Sequence, residues 1–144
     1  MAWIFTGQRV LSGLLAGGFL LATLGLRPAV ESLAGPAHIR IRQALIPRFR
    51  ALLLPLMLAT VALAGLGVWV RRWDVPLVQW VGLVCAVAMP VLTVAVNVPV
   101  NHQALAWTPE SPPEYWRKEV ALWNIGDTIR LVLSLAAFLC AEVS

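Results

Sequence analysis

Four long stretches of the chain carry almost no charge, and this feature limits its possible folds more than any other. Residues 10–26, 51–70 and 75–108 contain no Asp, Glu, Lys or Arg, and residues 120–141 contain only Asp127 and Arg130. A helix needs about 20 apolar residues to cross a hydrocarbon core of roughly 30 Å. The sequence therefore predicts an all-α protein, an integral membrane four-helix transmembrane bundle. It forms a single transmembrane domain over residues 1–144, with spans at approximately 6–26, 51–70, 76–97 and 120–141.

Composition supports this fold class and excludes several others. Hydrophobic residues make up 60% of the 144 and charged residues 12%, with a mean hydropathy of +0.80. Soluble domains carry about 25% charged residues, so disorder, a fibrous protein and a soluble enzyme are all disfavoured. The net charge of +4 fits basic membrane loops, and no nucleic-acid partner is expected. Cys85 and Cys140 lie in apolar runs and indicate no disulfide framework.

The connections between the spans predict how the chain is oriented in the membrane. The first apolar run is longer than the core of a signal peptide, so we interpret it as a span. Residues 71–74 form a short hairpin, whereas residues 27–50 and 98–118 form longer connections, and Pro99 predicts a helix end. The two longer connections carry seven Lys or Arg residues, and the opposite side carries three. We therefore expect both termini outside and connections one and three in the cytoplasm, in a bacterial-type inner or plasma membrane.

Polar side chains inside the third and fourth spans are the main candidates for a site, because they are costly in lipid. At about 100° per residue, Thr93, Asn97 and Asn101 share one helix face, and Trp123, Asp127 and Arg130 share another. The two stripes lie near the same membrane face and are predicted to converge on one cavity. An alternative is that the Asp127–Arg130 pair and the asparagines only tie the helices together, although buried ion pairs stabilise poorly.

Histidine, arginine and tryptophan residues in the connections are weaker candidates. His102 is a base, a metal ligand or a loop residue, and the last is favoured, while His38 is interpreted as interfacial. Two histidines without an acidic cluster predict no metal site, although a haem or metal held by His38 and His102 stays open. The arginines of residues 40–50 are expected to bind lipid headgroups. The alternative is that one of them binds an anionic substrate. Trp116 is interfacial or stacks on an aromatic ligand.

The order of these motifs resembles the anthrone oxygenase family, small four-helix membrane proteins. The resemblance rests on Thr93-x3-Asn97-x-Pro99-x-Asn101, then Trp116, then Trp123-x3-Asp127-x2-Arg130. It covers most of the chain, with its specific motifs within residues 93–130. Asp127 stands where many members carry histidine.

The resemblance implies a membrane oxidoreductase, specifically a cofactor-independent monooxygenase that uses O₂ as co-substrate. Its substrate would be a lipophilic aromatic molecule with an acidic C–H bond. It implies Asp127, or else His102, as the base, and Arg130, Asn97 and Asn101 as donors to the developing oxyanion. Trp123, Trp116 and Thr93 would contact the substrate. The alternatives are a non-catalytic subunit that packs through the Gly13–Gly17 pair, a transporter, or a haem or metal oxidoreductase. Membrane lipids and a homo-oligomer are expected partners.

Overall fold

The computed structural model describes residues 2–144, which form four long helices. These are α1 (Ala2–Glu31), α2 (Gly35–Arg71), α3 (Leu77–Ala106) and α4 (Trp116–Val143). Each helix is long and apolar enough to cross a membrane, and the described residues contain no strand. The chain is thus an all-α integral membrane protein, as the uncharged runs predict. The spans themselves stay predictions, and each coincides with part of one helix.

The helices pack as a square, up-down-up-down bundle. Each one packs along its two neighbours, α1 with α2 and α4, and α3 with α2 and α4, and within residues 2–144 no Cα atoms of diagonal helices lie within 8 Å of each other. Aliphatic and aromatic side chains from all four helices fill the centre, among them Leu15, Phe19, Met57, Met89 and Leu131. The outer faces carry exposed leucine, valine and isoleucine, as expected for surfaces that meet lipid acyl chains.

Two helices contain a wider, π-helical turn, and a proline follows each one at the same distance. Residues 21–26 of α1 and residues 93–97 of α3 are π-helical, with Pro28 and Pro99 two positions beyond. The backbone N–H before each proline bonds a carbonyl five residues back, at Ala22 and at Thr93. A proline ring collides with the carbonyl four residues earlier, and the wider turn removes that collision. Both helices therefore continue through their proline.

This corrects two expectations about the connections. Pro99 does not end the third helix, which runs on to Ala106, because the π-helical turn before it makes room for the ring. Residues 27–50 do not form a long connection either: α1 continues to Glu31 and α2 begins at Gly35. The third connection is confined to residues 107–115 instead of 98–118. The arginine-rich segments are consequently helical and can hold side chains at fixed positions.

The polar residues predicted to form a site in the third and fourth spans gather at one end of the bundle. The antiparallel order brings the end of α1, the start of α2, the end of α3 and the start of α4 to the same side. A second buried cluster closes this end, formed by Ile39, Ile46, Ala104, Trp107, Trp116 and Val120. The segment between this cluster and the central core contains both π-helical turns.

Candidate functional site

Asp127 is the centre of a buried polar network at this end of the bundle. Its side chain is 3% exposed, and it accepts hydrogen bonds from α1 and from its own helix, α4. Arg130 Nη2 donates to Oδ1 at 2.9 Å, one turn further along α4. Thr23 Oγ1 donates to Oδ2 at 3.0 Å, and Arg27 Nη2 lies 3.4 Å from the same oxygen. The carboxylate therefore links α1 to α4.

Arg130 extends the network to α3. Its Nη1 donates to Thr93 Oγ1 at 3.1 Å, and the Thr93 hydroxyl donates to the Met89 carbonyl at 2.8 Å. The guanidinium lies over the Phe19 ring, 5.0 Å from its centroid. A salt bridge within α4 thus also holds the π-helical turn of α3, because Thr93 is its first residue.

Trp123 is held from α3 by two asparagines of the predicted stripe. Its indole Nε1 donates to Asn101 Oδ1 at 2.9 Å, and its backbone carbonyl accepts from Asn97 Nδ2 at 3.3 Å. Asn97 is 1% exposed and reaches the backbone of α4 beside Gly126, where a side chain would collide with it. These contacts fix the plane of the indole ring at the wall of a cavity.

Arg42 of α2 stacks on this tryptophan. Its guanidinium carbon lies 4.6 Å from the Trp123 ring centroid, and the residue is 7% exposed. Among the described residues its one hydrogen-bond partner is His38 Nε2 at 3.5 Å, and its Nε atom is buried without a partner. A guanidinium has five N–H donors, so Arg42 is left with most of its hydrogen-bonding capacity unused.

The main cavity lies between these residues and the apolar side of α2. It has a volume of about 270 Å³, near the lower end of small-molecule sites, which span roughly 300–1,000 Å³. Its polar wall is formed by Thr93, Asn101, Trp123, Asp127 and Arg130. Its exposed lining residues all lie on α2 and α3: Arg50, Leu54, Leu58 and Val94. The cavity therefore opens sideways between these two helices, toward the lipid.

A second, smaller space adjoins the main cavity, and we call it the arginine chamber. Its volume is about 40 Å³, and it is lined by Arg27 and Arg42 together with apolar side chains that include Leu26, Val30 and Leu45. Four residues line both spaces, namely Ala22, Ile46, Phe49 and Trp123. The indole of Trp123 is thus part of the partition between them.

The charges around this pair of spaces do not balance. Four arginines line the two spaces, namely Arg27, Arg42, Arg50 and Arg130, against one carboxylate, Asp127, which is the only Asp or Glu of the described residues to line either space. Glu31 lies nearby, but it is exposed and accepts a hydrogen bond from Asn124 at 2.7 Å. The site therefore carries an excess of positive charge in an apolar wall, which favours an anion or a developing oxyanion.

Some of the predicted residues lie outside these spaces. His102 is on the exposed face of α3 and lines neither space. Trp116 is buried in the cluster that closes the bundle, edge-on to the His38 ring with centroids 5.2 Å apart, so it does not face the main cavity. His38 itself is buried, with 5% of its surface exposed. Within residues 2–144, no three His, Cys, Asp or Glu side chains group as metal ligands.

The structure also adds residues that the sequence pattern alone did not select. Thr23 and Arg27 reach Asp127 from α1, and Arg42 was only one of several arginines in its segment. A signal for the first two exists in hindsight: Thr23 lies within the run of α1 that precedes Pro28, just as Thr93 and Asn97 lie before Pro99. A proline inside a long apolar run marks the position of a wider turn, and such turns are frequent at functional sites.

Comparison with known proteins agrees with the motif order. The family model described as anthrone oxygenase matches residues 45–140, which include the polar stripes of α3 and α4. Neither the curated proteins nor the solved structures contain a match to this chain. The family match covers most of the chain, and this protein belongs to the anthrone oxygenase family.

Proposed function

We propose that this protein is a membrane-embedded, cofactor-independent monooxygenase that acts on a lipophilic aromatic molecule with an acidic C–H bond, of the anthrone type. The observation that carries the proposal is the lipid-facing cavity whose polar wall holds one carboxylate among excess guanidiniums. Family membership supports the same reaction class. An apolar substrate would enter from the bilayer, and its reacting carbon would lie against Asp127 and Arg130.

The proposed reaction converts a CH₂ group and O₂ into a carbonyl group and water. Asp127 accepts one C–H proton, and the electron pair of that bond becomes an enolate or phenolate. The carbanion transfers one electron to O₂, and the radical and superoxide combine to form a C–O–O⁻ peroxide. The peroxide takes up the first proton. Loss of the second C–H proton with cleavage of the O–O bond then gives the carbonyl and water.

The guanidiniums supply the stabilisation that this chemistry needs. When Asp127 takes the proton, its charge disappears and an equal charge develops on the substrate oxygen. Arg130, which bonds Asp127 Oδ1 at 2.9 Å and lines the same cavity, can then bond the enolate instead. The total charge of the site stays constant, so the positive field favours both states. Asn101 orients the Trp123 indole, which provides a flat wall for an aromatic ring.

The test separates proton abstraction from oxygen chemistry. Without O₂, the wild-type protein in detergent should accelerate exchange of the acidic C–H of anthrone for deuterium in D₂O, measured by NMR above the uncatalysed rate. With O₂, it should consume one O₂ for each anthraquinone formed. Asp127→Asn should lower both rates by about 100-fold or more, since general bases contribute typically 10²–10⁴-fold. Asp74→Asn, in the hairpin at the other end of the bundle, is the matched control.

Two results would contradict this proposal. Full exchange and turnover by a well-folded Asp127→Asn protein would remove Asp127 from the role of base. An ultraviolet–visible spectrum of the purified protein with a haem band, or a stoichiometric metal, would replace the cofactor-independent reaction. His38 and His102 would then be the residues to substitute first.

A further inference from the structure

We propose that the arginine chamber is a binding subsite for a carboxylate carried by the substrate. The main hydrogen-bond donor to this carboxylate is Arg42, helped by Arg27, and the aromatic body of the ligand lies in the main cavity on the other side of Trp123. This deepens the proposed function, because it rests on the main cavity as the place of the reacting ring. Both arginines of the chamber lie outside the family match, which begins at residue 45.

The two arginines of the chamber have unused hydrogen-bonding capacity. Arg42 is more than nine-tenths buried, yet His38 at 3.5 Å is its one hydrogen-bond partner within the described part of the chain. The Nε atoms of Arg42 and of Arg27 are both buried, and neither has a partner there. A buried donor without an acceptor destabilises the protein, and the cost is larger for a charged group. A carboxylate in the chamber would remove this cost.

The positive charge of Arg42 also lacks a partner among the described residues. Asp127 offsets the charge of one guanidinium, and its oxygens are bonded to Arg130, Thr23 and Arg27. Arg42 makes no salt bridge within residues 2–144. Glu31 is on the outer surface and bonded to Asn124, so it does not fill the chamber. An anion from outside the chain is therefore the missing partner of Arg42.

The volume of the arginine chamber matches the size of a carboxylate. The chamber holds about 40 Å³, and a single water molecule needs roughly 10–15 Å³ measured in the same way. The space thus accepts a group of about three heavy atoms, which is the size of a carboxylate. The phosphodiester group of a lipid has five heavy atoms, phosphorus and its four oxygens, and carries glycerol as well. Planar, bidentate recognition by a guanidinium also suits a carboxylate.

The partition between the two spaces defines the geometry of the ligand. Trp123 and Phe49 line both the chamber and the main cavity, so a planar aromatic ring beside them can extend a substituent from one space into the other. The carboxylate would then anchor the ring from the side opposite to Arg130. An aromatic carboxylic acid fills the main cavity with its ring and the arginine chamber with its carboxylate, whereas an aromatic ring without a carboxylate fills the main cavity only.

The experiment uses a non-reacting pair of ligands and the full chain in nanodiscs of phosphatidylcholine. The binding constants of anthraquinone-2-carboxylate and of its neutral isostere, anthraquinone-2-carboxamide, are measured by equilibrium dialysis. The wild-type protein should prefer the carboxylate by about tenfold or more, as charge-assisted hydrogen bonds indicate. Arg42→Gln should reduce this preference to nearly one while the carboxamide still binds, which also reports that the cavity is folded. Arg48→Gln, an exposed arginine six residues further along α2, should keep the preference.

Two outcomes would overturn the proposal. Equal affinity of the two ligands for the wild-type protein, or a preference that Arg42→Gln leaves intact, would show that the chamber does not hold the carboxylate. Loss of the preference when phosphatidylglycerol is added, with restoration in phosphatidylcholine, would identify a lipid headgroup as the occupant. If the Arg42→Gln protein does not fold, the ratio of the two ligand affinities is compared between the Arg42→Lys protein and the wild-type protein instead. Turnover is measured separately, so an inactive protein that shows the Arg42-dependent preference refutes the proposed reaction and keeps the subsite.

Discussion

Gly126 lies at the closest approach of α3 and α4, and its substitution by alanine gives the sharpest test of the site geometry. A Cβ atom at this position would lie 2.7 Å from Asn97 Oδ1 and 3.3 Å from Val96 Cγ1. The first distance is far below contact, so the Asn97 amide must move. Moving it breaks the 3.3 Å hydrogen bond from Nδ2 to the Trp123 carbonyl.

The expected loss of stability follows from two costs and one gain. Overpacking costs about 1–3 kcal/mol, and loss of the buried hydrogen bond costs about 1 kcal/mol. Alanine gains up to about 1 kcal/mol over glycine inside a helix. We therefore expect Gly126→Ala to lower the free energy of unfolding by roughly 1–3 kcal/mol. Gly65→Ala is the matched control, because its Cβ would meet no atom within 4 Å and should be neutral or stabilising.

A double-mutant cycle assigns the effect to Asn97. Asn97→Ala removes the atom with which the new Cβ collides, so Gly126→Ala should cost about 2 kcal/mol less in that background. The assay is reversible SDS unfolding in mixed micelles, followed by circular dichroism and Trp fluorescence. Equal stability of the Gly126→Ala and Gly65→Ala proteins, or strict additivity of the two substitutions, would refute this account of the helix contact.

Three further substitutions test other parts of the network. Thr23→Val removes the donor 3.0 Å from Asp127 Oδ2 and should lower the free energy of unfolding by about 1–2 kcal/mol in the same assay, with the exposed Thr6→Val as its control. Trp123→Phe keeps an aromatic wall but loses the bond to Asn101, so it should weaken anthraquinone binding in dialysis by about fivefold, while the exposed Trp80→Phe should not; unchanged binding would remove the Asn101 contact from ligand recognition. Gly67→Ala places a Cβ 2.7 Å from Gln79 Nε2 at the far end of the bundle. It should destabilise the protein by about 2 kcal/mol in SDS unfolding and leave the anthraquinone affinity unchanged. Loss of both stability and affinity would mean that the two ends of the bundle are not independent.

The fold follows from the sequence because it depends on a coarse property. Four runs of apolar residues without charge leave few alternatives in a lipid solvent, and their order gives the antiparallel bundle. The polar stripes were also predictable: Thr93 and Arg130 are in direct contact, as are Asn101 and Trp123. Polar residues at helical spacing form one stripe on each of these two helices. The two stripes must face each other if both are to be buried away from lipid.

The parts that sequence reasoning missed depend on the distances between helices. A proline in an apolar run signals either a helix end or a wider turn, and only the packing around Pro99 decides between them. Likewise, nothing in the sequence separates Arg42 from Arg40 or Arg48, although one is buried over Trp123, another pairs with Glu110, and the third bonds the Ala44 carbonyl at 2.6 Å. Trp116 satisfied the pattern of a ligand-stacking residue but is used to close the bundle.

The sideways opening of the main cavity determines how any affinity for it should be expressed. Leu54, Leu58 and Val94 line the opening and are exposed on the outer face of the bundle, so we expect the proposed ligand to arrive from the bilayer and not from the buffer. Its effective concentration is then the number of ligand molecules per lipid. Adding empty lipid vesicles at a constant total amount of ligand dilutes it as effectively as adding water dilutes a soluble substrate. Rates and affinities compared between detergents, nanodiscs and cells will agree only when they are expressed on that surface scale.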